Sequence, residues 1–465
     1  MFLAALGVAA GVAVVFLFHG TRPRSRPAMP RETVLTSGPG GRILTNCNVW
    51  SPDGRWIVFD TRSDPAGDTF DGTRIQAVHV ETREVRTVYQ SVNGACCGVA
   101  TWNPAGHPTE PKVAFILGPE HPTAEWSYGP TRRQGVVVEF ARPNAAVNLD
   151  ARNLVTPFTP GALRGGSHVH VWHPAGDWVS FTYEDEVLAR YPQVVSYRDT
   201  NQRNVGVSIP RPVAVPRSHP RNHDGTHFSV LVTRTESQPA DGTDQISKAF
   251  EDAWVGTDGY ARPDDSRQRR AIAFQGLVNA GGNPVAEVFI ADLPDDLTKP
   301  GNWPLEGTVL RRPAPPRGVT QRRLTFTTHH KFPGLQGPRH WLRSSPDGSR
   351  IGFLRKDPAG VVQFWTVSPN GGDPVQVTKN PHPVASCFTW HPDGKRVAFV
   401  MDNSVCVTDV TSGETKCLTA RTDDATAPRP EACVFSPDGL RLAFVRHLSD
   451  GDKACNQICV VEVTQ

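Results

Sequence analysis

Short segments of alternating apolar and polar residues recur along the chain, each interrupted by the same tight-turn phrase. The phrase is Ser-Pro-Asp-Gly or a close variant, and the flanking apolar residues follow a period of two. Proline presets φ at the first central turn position, while aspartate and glycine suit the positions that follow. Each copy therefore predicts a β-hairpin. The clear copies are WSPDGRWIVFDT from Trp50, WNPAG from Trp102, WHPAGDWVSFTYED from Trp172, SSPDGSRIGFLRKD from Ser344, WHPDGKRVAFVMD from Trp390 and FSPDGLRLAFVRH from Phe435.

A weaker seventh copy, NHDGTHFSVLVTRT, starts at Asn222 and lacks the proline. One hairpin cannot bury its apolar faces alone, whereas repeats stacked around an axis bury them. The pattern therefore predicts an all-β fold, a seven-bladed β-propeller over residues 31–465. After the last copy there is room for one more strand only, and residues 32–36 (ETVLT) resemble an outermost strand. We expect this N-terminal strand to complete the last blade and close the ring.

Residues 236–270 depart from the repeat and predict an insertion in the ring. Within them, the segment DQISKAFEDAWV places Ile246, Ala249, Phe250 and Trp254 at helical spacing. This spacing predicts a short amphipathic helix over one blade or over the channel mouth, with packing favoured over a lid role.

The first 30 residues are expected to lie outside the propeller. Residues 2–18 form an uninterrupted apolar run, which at ~1.5 Å per residue approaches a bilayer core of ~30 Å. The run predicts a membrane tether or an export signal, with the propeller anchored or exported to the cell envelope or periplasm. Three arginines follow the run and no clear cleavage site is present. Translation from Met29 would remove the segment and leave a cytoplasmic protein.

Charge and cysteine usage narrow the function classes. The chain has 49 Lys+Arg against 46 Asp+Glu, so nucleic acid is not an expected partner. Cys406 and Cys417 flank a predicted hairpin and would pair in an oxidising compartment, while buried free thiols fit the pattern equally well. The sequence has no CxxC pair, G-x-S-x-G, P-loop or H-E-x-x-H, which removes support for a structural zinc site, a nucleophile elbow, nucleotide hydrolysis and zincin chemistry.

Alignment of the copies on the turn proline compares equivalent positions of the innermost strands, whose side chains alternate between channel and blade. The position six residues before the proline is mostly polar or small. It holds Asn46, Gly98, His168, His340, Ser386 and Glu431. The position four residues before it holds Asn48, Ala100, His170, Leu342, Phe388 and Cys433. The weaker copy would add Arg217 and His219. The intervening positions Val49, Val171 and Val434 are apolar.

This register predicts a site at one mouth of the channel. We expect His168, Arg217, His340, Glu431 and Asn46 to converge there, with His170 and His219 one layer deeper. The alternative is a channel that is merely solvated. The candidate ligand-binding residues are Asn46, Asn48, His340, Glu431 and Trp341. The candidate metal ligands are His168, His170, His219 and His340, which would suit a divalent Zn, Mn or Ca ion together with nearby carboxylates.

The repeated S-P-D-G phrase resembles that of TolB-like propellers. More specifically, TNCNVWSPDGRWIVFD, RGGSHVHVWHPAGDWVSFTYED, PRGVTQRRLTFTTHHKFPG and PRHWLR resemble the YidR-like family of TolB-like proteins, whose biochemical role is unassigned. The resemblance implies a propeller that serves as a binding platform for a protein, a peptide or an acidic saccharide, and we favour this role.

Oligogalacturonate and ulvan lyases are similar seven-bladed propellers, which implies an alternative enzymatic role. In metal-assisted β-elimination a base removes the proton beside a uronic carboxylate, and a cation stabilises the enolate. By analogy the candidate catalytic residues are His168 or His170 as the base, Tyr183 as the proton donor, and Arg217 or Arg339 as the carboxylate partner.

Overall fold

Seven four-stranded antiparallel sheets surround a central channel in the computed structural model of the chain. The structure describes residues 30–105, 110–190, 199–338, 341–450 and 453–463. Its strands confirm the predicted all-β, seven-bladed propeller. Within the described residues the helical exception is α1, Glu186–Arg190.

The strands of each blade follow one another from the innermost to the outermost position. Blade 1 is β2 (Gly41–Ile43), β3 (Trp56–Arg62), β4 (Arg74–His79) and β5 (Val85–Gln90); blade 2 is β6 (Cys97–Trp102), β7 (Lys112–Leu117), β8 (Gln134–Glu139) and β9 (Val147–Asn148); blade 3 is β12 (Gly165–Trp172), β13 (Val179–Asp185), β14 (Asn204–Ile209) and β15 (Phe228–Leu231). Blade 4 is β16 (Ile246–Trp254), β19 (Ala271–Ala280), β20 (Asn283–Asp292) and β21 (Thr320–Arg323); blade 5 is β22 (Arg343–Ser344), β23 (Ile351–Lys356), β24 (Val362–Val367) and β25 (Val375–Gln376). Blade 6 is β26 (Thr389–Trp390), β27 (Arg396–Met401), β28 (Ser404–Asp409) and β29 (Thr415–Cys417); blade 7 is β30 (Pro428–Phe435), β31 (Arg441–Asp450), β32 (Lys453–Glu462) and β1 (Glu32–Val34). Two short pairs stand outside the blades, β10 (Ala151–Arg152) with β11 (Ala162–Leu163) and β17 (Tyr260–Ala261) with β18 (Arg267–Gln268).

The N-terminal strand closes the ring as predicted. β1 pairs antiparallel with β32, so that Glu32 lies opposite Val461 and Val34 opposite Cys459. Arg446, on β31, donates from Nε to the Glu32 carboxylate at 2.6 Å. The last blade therefore contains strands from both ends of the described chain.

Blade 4 is assembled from different residues than the repeat predicted. The weaker copy at Asn222 does not start a blade, because residues 228–231 of that copy form β15, the outermost strand of blade 3. The fourth repeat instead begins at Trp254, which is followed by Asp258 and Gly259. The β17–β18 pair separates this turn from the second strand and hides the repeat in the sequence.

The predicted helix at residues 244–255 is wrong, since Ile246–Trp254 forms β16, the innermost strand of blade 4. Two register shifts interrupt its pairing with β19, one between Ile246 and Ala249 and one between Phe250 and Ala253. Each bulge adds a residue to a strand of period two. The buried residues therefore recur at a spacing that imitates a helix.

A bulge at the same place in several innermost strands reverses which side chains face the channel. Val99 and Val169 have positive φ angles of 58° and 54°, and the pairing register shifts around each of them. Residues before the bulge face one mouth. Beyond the bulge in blade 3, His170 turns into the blade, whereas Val171 lines the channel.

Tryptophans two residues before the turn tie neighbouring blades together. The indole N–H groups of Trp50, Trp254 and Trp390 each donate at 3.0 Å to a backbone carbonyl of the preceding blade. Their acceptors are Val434, Val171 and Arg343. Because the donors are largely buried, these bonds both satisfy the indoles and fix the angle between blades.

Cys406 and Cys417 lie opposite each other on β28 and β29 and form a disulfide, one of the two states that the sequence allowed. The predicted apolar segment at residues 2–18 lies outside the described residues. Within the part of the chain that the structure describes, no helix has the length and apolar character needed to cross a bilayer.

Candidate functional site

Four of the predicted residues meet at the mouth of the channel on the side of the loops between blades. Asn46, His168, Trp341 and Glu431 line a cavity of ≈ 250 Å³, here called the loop-side cavity. Its other lining residues are Ile43, Leu44, Thr45, Arg62, Asp68, Phe70, Val99 and Val169. Asn46, His168 and Glu431 share the position six before the turn proline, and the structure brings the three residues to one cavity.

Gly98 occupies the same position in blade 2 and makes room for an aromatic wall. A Cβ at Gly98 would lie 2.7 Å from Phe70, which would force the ring away. Phe70 in turn stacks on Tyr128 with ring centroids 4.9 Å apart. In blade 4 the equivalent residue is Phe250, where the alignment had placed Arg217.

Carboxylates dominate the charge that the loop-side cavity presents. Arg429 links two of them, with Nη2 at 3.1 Å from Asp68 Oδ1 and Nε at 3.5 Å from Glu431 Oε2. Arg62, which also lines the cavity, donates to buried Asp60 at 3.0 Å and to the Gly67 carbonyl at 2.6 Å. The cavity therefore presents two carboxylates, and the cations beside them are already engaged.

His168 is partly exposed to the cavity and is held neutral. Its Nδ1 lies 3.2 Å from Thr182 Oγ1, which fixes the ring against β13. Burial, together with the positive charges of Arg133 and Arg203, keeps the pKa of His168 well below its usual range. At neutral pH the ring offers one hydrogen-bond donor and one acceptor rather than a charge.

His170 does not join the cavity, because it lies beyond the bulge at Val169 and points into the blade. Its side chain is fully buried, with Nε2 at 3.0 Å from Ser167 Oγ and 4.0 Å from Asp150 Oδ1. Burial lowers the pKa of His170 to about 3 and raises that of Asp150 to about 6. A neutral imidazole forms no ion pair with Asp150, so this is a buried polar network.

Tyr183 is also buried, in contrast to the exposed proton donor that the lyase analogy requires. Only 1% of the residue is exposed, and its hydroxyl donates to Asp185 Oδ2 at 3.1 Å. The same carboxylate accepts from Arg164 Nε at 2.7 Å. Tyr183 therefore belongs to a network inside blade 3.

The structure does not bring Arg217 and His219 to the channel. Both lie in the loop between β14 and β15, at the outer edge of blade 3. Arg217 is exposed and pairs with Asp224 at 2.7 Å, while the His219 ring lies 6.2 Å from that of Trp126. Their placement in the alignment failed because it rested on the misassigned copy at Asn222. Arg339 and His340 lie outside the described residues.

Sequence reasoning missed Arg343, which crosses the channel. Arg343 lies on β22 of blade 5, and its Nη2 donates to Asn46 Oδ1 of blade 1. Its Nη1 donates to the Leu342 carbonyl at 2.8 Å. The missed signal was available, since Arg343 stands three residues before a turn proline, where three other copies have valine.

Arg343 separates the loop-side cavity from a second one of ≈ 340 Å³ at the opposite mouth, here called the turn-side cavity. It is lined mainly by the repeat itself, with Asn48 placed here instead of beside Asn46. The lining residues include Trp50, Trp172, Trp254, Trp390, Phe435, Val171, Val434, Arg343, Asn48 and the turn prolines 52, 104, 174, 346, 392 and 437. The repeated turn phrase thus forms a mainly apolar mouth.

The described residues do not fit a metal centre. No group of three or more His, Cys, Asp or Glu side chains converges among them at ligand distance. His170 faces the blade and His219 the outer edge, so neither shares a ligand sphere with His168. Glu431 and Asp68 are bridged by Arg429, which competes with a cation for the same oxygens. Among the described residues, which do not include the candidate ligand His340, the Zn, Mn or Ca ion expected from the sequence therefore has no ligand set.

The fold and the cavities define a seven-bladed β-propeller with a ligand-sized cavity at each mouth of its channel. A profile for a family described as "Protein of unknown function (DUF3748)" matches residues 96–223. The chain is 44% identical over 417 residues to the uncharacterized protein YidR of Escherichia coli (strain K12), covering 88% of this chain and 94% of that protein. It therefore belongs to the YidR family, as the sequence motifs predicted.

Solved structures of low sequence identity share the propeller fold. An oligogalacturonate lyase in complex with manganese aligns with a TM-score of 0.55 and 11% identity, covering 94% of this chain and 95% of that one. An oligogalacturonate lyase from Vibrio parahaemolyticus aligns with a TM-score of 0.50 and 11% identity, with 94% of each chain covered. These similarities concern the fold alone.

Proposed function

We propose that this propeller is a binding protein whose loop-side cavity takes a small, neutral, polyhydroxylated ligand such as a single sugar ring. The observation that carries the proposal is the convergence of Asn46, His168, Trp341 and Glu431 from separate parts of the ring. A cavity of ≈ 250 Å³ is slightly smaller than the sites of drug-sized ligands, which are about 300–1,000 Å³, and therefore suits a smaller ligand.

The polar groups of the cavity suit hydroxyl groups. Asn46 Nδ2 is buried and has no hydrogen-bond partner among the described residues, so it can donate to a ligand oxygen. Neutral His168 offers a donor or an acceptor, and the Glu431 carboxylate accepts hydrogen bonds from hydroxyls. The partly exposed rings of Trp341 and Phe70 supply apolar faces against which a sugar ring packs.

The charge of the cavity favours a neutral ligand over an acidic one. Asp68 and Glu431 line it, whereas Arg62 and Arg429 are held by carboxylates. A uronate would bring a third carboxylate close to these two, and like charges in partly buried surroundings repel.

Calorimetric titration with D-galactose and D-glucose, each beside its uronate, tests this proposal. We expect the neutral sugar to bind at least ten times more tightly than its uronate, and Glu431→Gln and Trp341→Ala to weaken binding at least tenfold. Trp303→Ala is the matched control, because Trp303 is 53% exposed and lies away from the cavity. Equal binding by Trp341→Ala and the parent, or no binding of any neutral sugar, would overturn the proposal.

A second candidate is β-elimination on a uronate, favoured by the shared fold with oligogalacturonate lyase. In that reaction neutral His168 would be the base. Arg62 is the cation of the described lining, and its engagement with Asp60 leaves an enolate poorly stabilised. Incubation with oligogalacturonate, with and without added Mn²⁺, should show the absorbance of a new C=C bond if this role applies. His168→Ala should then abolish the signal, and its absence in the parent protein would reject the enzymatic role.

A further inference from the structure

Arg343 is a partly buried cation whose direct hydrogen bonds all go to uncharged groups. Its hydrogen bonds go to the uncharged oxygens of Asn46 and Leu342, and its Nε is buried without a partner among the described residues. No carboxylate that the structure describes lies within ion-pair distance of it. Buried Asp252 is near enough to feel its charge, since burial raises the pKa of Asp252 to about 6 and Arg343 opposes that rise. A partly desolvated cation whose hydrogen bonds go to neutral groups still gains from an anion that contacts it directly.

The turn-side cavity gives such an anion a route to Arg343. Arg343 precedes its turn proline, Pro346, by three residues, so at a rise of about 3.3 Å per residue it lies about 10 Å from the turn along the strand. At the same strand position, blades 3, 4 and 7 present Val171, Ala253 and Val434, and blade 6 presents Thr389, whose hydroxyl donates to the Cys433 carbonyl. The positive charge therefore lies at the inner end of a cavity whose surrounding wall is apolar.

The outer part of the cavity is built for an apolar body. Four tryptophans and six turn prolines line it, and indole hydrogen bonds to the preceding blade hold three of the tryptophans, Trp50, Trp254 and Trp390, in place. A volume of ≈ 340 Å³ lies within the range of small-molecule sites. A fully polar anion would leave this wall without apolar contact, and a neutral apolar molecule would bury Arg343 without compensation.

We propose that the turn-side cavity binds a small amphiphilic carboxylate, with its ring or acyl body against the tryptophans and prolines and its carboxylate on Arg343. Guanidinium and carboxylate form charge-assisted hydrogen bonds, which are strengthened where water is excluded. The site is separate from the loop-side cavity and does not depend on the function proposed for it.

Tryptophan fluorescence tests the proposal directly, because four tryptophans line the site. The purified full-length protein is titrated with naphthalene-2-carboxylate and with its uncharged isostere naphthalene-2-carboxamide. We expect the carboxylate to quench fluorescence saturably and to bind at least tenfold more tightly than the amide. Equal affinity for the two compounds, or no saturable binding of the carboxylate, would overturn the proposal without any variant being made.

Two arginine variants then assign the charge. Arg343→Met keeps the apolar volume, and it should abolish the preference for carboxylate over amide while leaving the amide affinity within about twofold. Arg441→Met is the matched control, since Arg441 stacks on Trp50 at 5.5 Å but does not line the cavity. It should leave the preference unchanged. An Arg343→Met protein that melts like the parent and still prefers the carboxylate tenfold would show that Arg343 is not the anion partner.

Should Arg343→Met fail to fold, Arg343→Lys keeps the charge but replaces the planar donor pair with a point charge. We expect this variant to retain part of the preference and to bind the carboxylate about three- to tenfold more weakly than the parent. Unchanged carboxylate affinity in Arg343→Lys would contradict the guanidinium–carboxylate hydrogen bonds that the proposal requires.

Discussion

The two mouths of the channel are built from the same seven repeats, yet they differ in chemistry. The turn-side mouth uses positions that are nearly the same in every copy, the tryptophan and the turn proline, and it is apolar. The loop-side mouth uses positions that differ from copy to copy, such as Asn46, His168 and Glu431, and it is polar. The positions that repeat therefore provide the structural framework, whereas the positions that differ between copies line the polar cavity.

This contrast predicts that substitutions at the turn-side mouth cost stability and those at the loop-side mouth cost binding. The largest effect is expected for Trp254→Ala, which removes a buried indole and its bond to the Val171 carbonyl. We expect a loss of about 3–5 kcal/mol in the free energy of unfolding, measured by urea denaturation. Trp303→Ala, at an exposed tryptophan, should cost less than about 1 kcal/mol. Equal losses for the two variants would mean that Trp254 contributes no more to stability than an exposed tryptophan does.

The bulge at Val169 predicts different roles for His168 and His170 on the same strand. The pH dependence of stability tests the role of His170. His170 has a pKa of about 3 in the folded protein and an ordinary value of 6.5. Between these values the unfolded chain binds a proton that the folded chain does not, so neutral His170 stabilises the fold above pH 6.5 and less so as pH falls toward 3. The cost of His170→Asn should therefore shrink by about 2 kcal/mol between about pH 7 and about pH 5 in urea titrations.

His168→Asn provides the matched comparison on the other side of the bulge. It should leave binding of a neutral sugar at least tenfold weaker, whereas His170→Asn should leave that binding within about twofold of the parent. If sugar affinity fell in His170→Asn but not in His168→Asn, then His170 rather than His168 would contact the ligand at the mouth.

Arg343 and Asn46 connect the two mouths, and a double-mutant cycle measures the connection. The bond between a charged guanidinium and an amide oxygen should give a coupling of about 1–2 kcal/mol between Arg343→Met and Asn46→Ala in the free energy of unfolding. Additive losses in the two single variants would mean that the side chains do not interact in solution.

The smallest effect is expected at the outer edge of blade 3. Arg217→Ala breaks an exposed pair with Asp224, and such pairs contribute about 0–1 kcal/mol. We expect the free energy of unfolding to fall by no more than this amount, and ligand affinity at either mouth to stay unchanged. A tenfold loss of sugar binding in this variant would indicate that Arg217 does contribute to the site at the channel mouth.

The fold followed from the sequence because six turn phrases are intact and each specifies a hairpin locally. Blade 4 did not, because the insertion at β17–β18 breaks its phrase and two bulges in β16 imitate helical spacing. The mouth with Asn46, His168 and Glu431 followed from register, but His170 did not. The bulge depends on a positive φ at position 169, and valine is not a residue type that predicts such a backbone conformation.

Contacts across the channel are the second kind of information that the alignment could not supply. Arg343 was visible as an arginine at a valine position, but its partner on blade 1 depends on the diameter of the closed ring. Tyr183 and Asp185 illustrate the same limit, since two polar side chains after a strand can face a mouth or, as here, each other inside a blade.

The bond between Arg343 and Asn46 also determines how molecules can travel. Because it spans the axis between the two cavities, this bond stands in the direct path between them, and we expect a solute that enters one mouth to leave by the same mouth. Residence times at the two faces are then set independently, and covering one face with another macromolecule leaves traffic at the other unaffected.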